Sequence, residues 1–243
     1  MSTAQVLSPR IFRRSHMGNV HCKTSSDSVE DTEFAERDYR VARKSRKLLE
    51  PHGVCGTTVD GVYAYSNGDS NRWDSGKHYQ DGLFMGFKWQ CVEFARRWLW
   101  TTRRLLLPQR NCAYGFGSLK RVYRPHLKEG VDVQRELQAE DWAPKAEWEK
   151  VSVRYVKQGS RLPPQPNSLI IYPMACGSPW GHIGVITNVD LARRLVYVAD
   201  QNRYFHEWND DSYSEVFKLE EVNGKYYIRD PESECKGWIE FDN

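Results

Sequence analysis

The sequence lacks any apolar run near the roughly 18 residues that a membrane-spanning helix requires. It also lacks an opening apolar segment with a small-residue cleavage site, so a Sec-type secretion signal is not expected. No Cys-x-x-Cys pair occurs, which argues against a structural zinc. No basic stripe with interleaved aromatics is present, and the formal charge is only +3, so nucleic acid is not an expected partner. No internal repeat is visible. Six cysteines stand at positions 22, 55, 91, 112, 176 and 235. Their even number invites a disulfide framework, but a chain of 243 residues that is 40% apolar can build its own core without one. Reduced thiols in a cytoplasmic protein are therefore expected, most of them as small core residues. With 13% aromatic residues the chain is not disordered throughout, and its length fits one sizeable domain plus a tail.

Along the chain, the first 26 residues carry Arg10, Arg13, Arg14 and Lys23 and no acid, and read as a disordered tail. The same composition loosely fits an organelle transit peptide. The string Met17-Gly18-Asn19-Val20-His21-Cys22 admits another reading. Were translation to begin at Met17, Gly18 would be open to myristoylation and Cys22 to a second acyl chain, and only then would membrane attachment follow. From Asp27 to Leu49 acids precede bases, the order that a helix dipole favours, so a surface helix is expected there, stopped by Pro51-His52-Gly53. Residues 1–52 thus read as tail and surface helix, and 53–243 as the domain. Within it, 54–86 reads as short strands and loops. From Gln90 to Leu106, Cys91, Phe94, Ala95, Trp98, Leu99, Thr102, Leu105 and Leu106 recur on one helical face, with Arg96, Arg97, Arg103 and Arg104 largely off it. Residues 109–166 read as an irregular insertion with short helices. The last third is a strand meander, with runs at 168–172, 182–187, 195–199 and 225–228. A helix followed by such strands predicts an α+β domain with the helix packed on an antiparallel sheet.

Three places in this outline can carry chemistry together. Cys91 stands in the first helical turn, where unpaired N–H groups and the dipole favour a thiolate. Those N–H groups can also form part of an oxyanion hole, with the Gln90 amide as a second donor. The polar segment 188–194 joins two strand-like runs as a hairpin. A turn centred near 191 or 192 places either Asp200 or Asn202 opposite His182, all three with the same parity and hence on one face. An imidazole beside a carboxylate or carboxamide has its tautomer fixed, as a general base requires. The thiol joins them if the helix packs N-terminus first against that face.

The string Gly86-Phe87-Lys88-Trp89-Gln90-Cys91-Val92-Glu93-Phe94-Ala95-Arg96-Arg97-Trp98 resembles the nucleophile segment of the CHAP class of cysteine, histidine-dependent amidohydrolases and peptidases. Within that class it is closest to the amidase domains of glutathionylspermidine synthetase/amidase and trypanothione synthetase. Val62-Tyr63-Ala64-Tyr65-Ser66, Gly181-His182-Ile183-Gly184-Val185-Ile186, Ala199-Asp200-Gln201-Asn202 and Gly237-Trp238-Ile239 fit the same pattern. The resemblance implies a papain-like fold, a Cys91 nucleophile, a His182 base and a thioester intermediate, with no cofactor or metal. Family members usually carry Glu where this chain has Asp200, which leaves open whether Asp200, Asn202 or both hold His182. Arg96 matches an arginine expected to meet the substrate. Since no ligase domain follows, the resemblance is to a stand-alone amidase. Its expected substrate is a small-molecule or peptide amide, a glutathione–polyamine conjugate in the first place. A peptidoglycan-type (D-alanyl-glycyl) endopeptidase and a non-catalytic, membrane-tethered binding module are the alternatives.

Overall fold

The computed structural model describes residues 46–68, 76–110, 112–126, 146–175, 179–208 and 212–242. Gly18, Cys22 and most of the helix expected over 27–49 lie outside these residues. Its last positions, 46–49, are not helical. Leu48 instead makes an antiparallel bridge with His206, and Leu49 N donates to Phe205 O at 2.8 Å. Residues 46–52 are thus part of the packed unit, because a main-chain partner outweighs the weak helical propensity of a segment that runs into Pro51.

Twelve strands and one α-helix occur among the described residues. Two hairpins precede the helix: β1 (Val54–Thr57) with β2 (Tyr63–Tyr65), and β3 (Lys77–Gln80) with β4 (Leu83–Phe87). Helix α1 (Cys91–Arg103) follows, then a 3-10 turn at Ala113–Ser118. The remaining strands are β5 (Arg121–Arg124), β6 (Glu149–Lys157), β7 (Ser168–Tyr172), β8 (His182–Asp190), β9 (Leu195–Ala199), β10 (Glu215–Val222), β11 (Lys225–Arg229) and β12 (Gly237–Phe241). They form one antiparallel sheet in the order β11-β10-β9-β8-β7-β12-β6-β5. The meander expected after residue 168 is present. The irregular reading of 109–166 needs correction, since this region contains the nine-residue strand β6. Val151, Val153 and Tyr155 alternate with Ser152 and Arg154, the period of a half-buried strand, so the sequence does carry the signal within an otherwise polar, Pro-rich region.

Two cores explain the burial of β7 on both faces. Leu169 and Ile171 join Phe94, Ala95, Trp98 and Leu99 of α1 in one apolar cluster. Ile170 and Tyr172 belong to a second, with Val198, Phe217, Ile228 and Trp238. The sheet curls around this second core until its outer strands meet. Ser160 bridges Tyr226, and the Gln158 amide binds both N–H and C=O of Ile228. A strand with apolar neighbours on either side reads as the unbroken run Leu169-Ile170-Ile171 rather than as alternation.

Helix α1 is shorter than its sequence pattern. Arg104 adopts the left-handed conformation (φ +53°) and Leu105 N turns back to Leu99 O, so the helix stops four residues before Pro108. Leu106 leaves the helical path to pair in both directions with Tyr123. Nor is the charged flank solvated, for Glu93, Arg96 and Arg97 are all buried. The hairpins β1–β2 and β3–β4 cover a side of the helix that the apolar periodicity leaves blank.

Candidate active site

Cys91 is the first residue of α1, and the preceding Gln90 is extended (φ −79°, ψ 158°) with no side-chain cap on the helix end. The first-turn N–H groups therefore have no Gln90 side chain competing for them. His182 opens β8 and pairs in register with Tyr172 on β7. Strand alternation sends Ile183 and Val185 to the core under α1, so the helix covers the face opposite to that of His182. Thiol and imidazole instead meet at the end of the sheet, beside Gly181, whose φ of +67° turns the chain into β8. A Cβ on Gly181 would lie 2.6 Å from Tyr172 O and 2.9 Å from Tyr114 Cβ, so no larger residue fits.

Both candidate partners of His182 lie nearby, with different assignments. His182 Nε2 lies 2.8 Å from Asp200 Oδ2, while Asn202 Nδ2 donates to Gln90 Oε1 at 2.8 Å. The register accounts for this. Val185 pairs with Ala199 and Ile186 with Val198, so continuation of the ladder puts Asp200 opposite Gly184, diagonal to His182. A Cβ on Gly184 would come within 3.2 Å of Asp200 Cβ. Only glycine leaves the carboxylate room to lean past it toward the imidazole. Asn202, at φ +65°, lies beyond the end of β9 in a turn that swings its amide to Gln90.

Asp200 is buried and satisfied on all sides. Its second oxygen accepts from Ser214 Oγ at 2.7 Å, and its own N–H donates to the same hydroxyl at 3.1 Å. Arg203 lies behind it, buried, paired with Asp230 at 2.5 Å and 5.1 Å from the Tyr172 ring centroid. Burial alone would raise the Asp200 carboxyl, but the bonds to His182 and Ser214 and the charges of His182 and Arg203 hold it below the usual carboxylate range. For His182, burial pulls the imidazole down. The negative charge of Cys91 and the hydrogen bonds to Asp200 and Cys91 outweigh that, lifting it to about 9. With Nε2 engaged by Asp200, Nδ1 is the nitrogen left for the thiol.

A testable consequence is that the His182 ring resonance in NMR should titrate near pH 9, as one member of a coupled pair. It should move toward the ordinary histidine range in Cys91→Ser, which removes the neighbouring charge. Since the folded value lies above the unfolded one, this group stabilises the fold fully below the ordinary histidine value of 6.5, and that contribution is lost as pH rises through about 9. A His182 midpoint that ignores Cys91→Ser would contradict the pairing.

A second network backs the helix. Glu93, fully buried, accepts from Arg97 Nε at 2.6 Å and from Gln201 Nε2 at 2.7 Å, and its Oε1 is 2.7 Å from His78 Nδ1. Burial opposes its ionisation, but His78 and Arg97 prevail and its carboxyl stays below the ordinary value. Gln201 also donates to Gln90 O at 3.1 Å and accepts from Tyr65 N at 2.8 Å. Three successive residues after β9 thus serve separate parts of the site: Asp200 holds His182, Gln201 braces the helix, and Asn202 holds Gln90. Arg96 departs from the expected substrate contact. It is buried, and its guanidinium donates to Leu107 O at 2.5 Å and Phe84 O at 2.8 Å. Desolvation brings it down to about 10. Nη1 and Nη2 tie α1 to the chain beyond the helix and to β4, while Nε is buried without a hydrogen-bond partner among the described residues.

Ser214, Gly184, Glu93 and His78 have no local sequence signature for these roles. Ser214 is 14 residues from Asp200 and reaches it only through the pairing of β9 with β10. Among the described residues no cluster of His, Cys, Asp and Glu is arranged to hold a metal ion, and no helix is long and apolar enough to cross a membrane.

Comparison with known proteins gives the same region. Residues 82–202 match the CHAP domain family. The chain is 37% identical over 169 residues to trypanothione synthetase of Crithidia fasciculata, a match that takes in 70% of this chain and 22% of that protein. It is 25% identical over 179 residues to glutathionylspermidine synthase of Crithidia fasciculata, with 65% of this chain and 22% of that protein covered. The chain thus spans about a fifth of the length of these relatives.

Proposed function

We propose that this chain, whose residues 82–202 match the CHAP domain family, is a cysteine amidohydrolase with Cys91 as nucleophile and His182 as acid–base. CHAP domains are generally cysteine amidases or peptidases. The observation that carries the reading is the His182–Asp200 hydrogen bond at 2.8 Å, on an imidazole that also interacts with Cys91 at an uncapped helix N-terminus. His182 takes the proton of Cys91, and the sulfur attacks the amide carbonyl carbon. The oxyanion is held by first-turn N–H groups and by Gln90 Nε2, which Asn202 keeps oriented by binding Gln90 Oε1. The C–N bond breaks, and His182 returns its proton to the departing amine. Water then gives a proton to His182 and its hydroxide to the thioester carbon, freeing the acid. The thiol recovers its proton from the imidazolium.

The substrate is a glutathione–polyamine conjugate of the glutathionylspermidine type, a reading supported by the similarity to trypanothione synthetase and glutathionylspermidine synthase over this part of the chain. The test is amine release from glutathionylspermidine by the full chain, with Cys91→Ala as the blank. Release by the native chain alone is the expected result. No release, with Cys91 still the fastest thiol toward iodoacetamide, would overturn the substrate and direct the search to peptide amides. No release and an unreactive Cys91 would overturn the hydrolase.

A further inference from the structure

The connection that leaves β9 with Asp200 is clamped by a segment more than 150 residues earlier in the chain. Lys47 O accepts from Glu207 N at 3.0 Å, Leu48 bridges His206, and Leu49 N donates to Phe205 O at 2.8 Å. On its other side the segment is held by Ser66, whose hydroxyl donates to Leu49 O at 3.0 Å. At its start, Arg46 Nη1 donates to Ser214 O at 3.2 Å and to Glu215 Oε1 at 3.3 Å. Both side chains are buried, at 7% and 0% exposure. Burial pushes the Glu215 carboxyl up to about 9, so at neutral pH it meets Arg46 as a hydrogen-bonding acid and not as a counter-charge. The desolvated guanidinium tolerates little displacement, because a buried cation that leaves its acceptors Ser214 O and Glu215 Oε1 is costly.

Ser214 stands between this clamp and the imidazole. Its N–H donates to Val198 O at 2.8 Å, and its hydroxyl has two acceptors in reach, Val198 O at 2.9 Å and Asp200 Oδ1 at 2.7 Å. Val198 O already has a donor and the carboxylate is charged, so the hydroxyl proton belongs on Asp200. The carboxylate is then pinned at Oδ1 and presents Oδ2 to His182. A Ser214 displaced by a few tenths of an ångström would send its proton to Val198 O and free the carboxylate to rotate.

We propose that Arg46–Leu49 is a strap that holds Asp200 on His182 through Ser214, with Arg46 as a positioning residue for the Cys91–His182 pair. The proposal rests on the cysteine-hydrolase reading. The strap carries no reacting atom; it sets the direction of one hydrogen bond at the site from outside the segment matched by the family.

The test uses the full chain with Arg46→Met, Arg46→Lys, Ser214→Ala and the double variant Arg46→Met/Ser214→Ala. The readouts are the rate of Cys91 alkylation by iodoacetamide from pH 5 to 10, resolved by peptide mass spectrometry, and the Tm. Arg46→Met should slow Cys91 alkylation at pH 6 by about five- to tenfold, within the span of couplings seen in one hydrogen-bonded network. Arg46→Lys, which keeps a cation at Ser214 O, should recover most of that loss. In the Ser214→Ala background Arg46→Met should slow alkylation no further. A lower Tm with an unchanged alkylation profile, or losses that multiply in the double variant, would overturn the strap. Should Arg46→Met not fold, Arg46→Gln, which removes the cation but keeps a polar side chain, gives the comparison with and without Ser214→Ala. A native Cys91 that reacts no faster than Cys112 would overturn the hydrolase reading, and the strap with it.

Discussion

Replacement of Asp200 by Asn is expected to lower amide hydrolysis by roughly 10³- to 10⁴-fold, the scale on which loss of the orienting carboxylate acts in such constellations. The side chain keeps its size, so packing against Gly184 and the bond to Ser214 can persist. What is lost is a negative charge 2.8 Å from a buried imidazole. Without it, burial gains weight in the His182 balance and pulls the ring's titration below about 9, so less imidazolium stands beside Cys91. The loss should therefore fall on kcat with KM nearly unchanged, and the alkaline limb of Cys91 alkylation should move to lower pH. Asn202→Ala should cost far less, about 10- to 100-fold, because it only loosens the Gln90 amide. Equal losses in the two variants would reverse the assignment of Asp200 to His182 and Asn202 to Gln90.

The second large effect is on stability. Glu93→Gln should lower the free energy of unfolding in urea by about 3–5 kcal/mol, the cost of leaving a buried partner charge unmatched. The amide keeps an acceptor oxygen for Arg97 Nε and His78, but its NH2 then faces the donors Arg97 Nη2 and Gln201 Nε2, and the buried Arg97 loses its partner charge. Since folded domains have only about 5–15 kcal/mol to lose, the variant should be partly unfolded at moderate temperature. The pH dependence has a definite sign. The Glu93 carboxyl is depressed in the folded state, so its stabilisation is present above the ordinary glutamate value of 4.5 and is lost as pH falls. Native protein should weaken in acid and Glu93→Gln much less so. A loss under 1 kcal/mol would mean that Arg97 finds a substitute among Tyr63 O and Gln201, to which it already donates.

Some of this site is readable from residue order alone. The 3.6-residue spacing of Phe94, Ala95, Trp98 and Leu99 marks α1, and the β-branched runs at 168–172 and 195–199 mark strands, because both patterns state which face meets the core. Cys91 at the first helical position and the shared parity of His182, Asp200 and Asn202 are equally local facts. Periodicity fails at Glu93, Arg96 and Arg97. It infers solvent from charge, whereas here the two hairpins bury the charges with Arg97 and Glu93 as one another's partners. It fails also at 46–49, where main-chain bonds to 205–207 override a charge pattern that favours helix.

What residue order determines for this protein, then, is helix α1, the strands begun at 168, 182, 195 and 225, and the identity of the groups that can react: a thiol at a helix start, an imidazole at a strand start and two polar side chains after the next strand. Which of those two holds the imidazole is a matter of tertiary structure alone. A hairpin read from sequence has an index sum uncertain by one or two, and the bulge between Ile186 and Asn188 shifts it. The diagonal reach past Gly184, the Ser214 hydroxyl delivered by β10 and the Arg46 strap depend on contacts across 14 to 169 positions, to which no local pattern is sensitive.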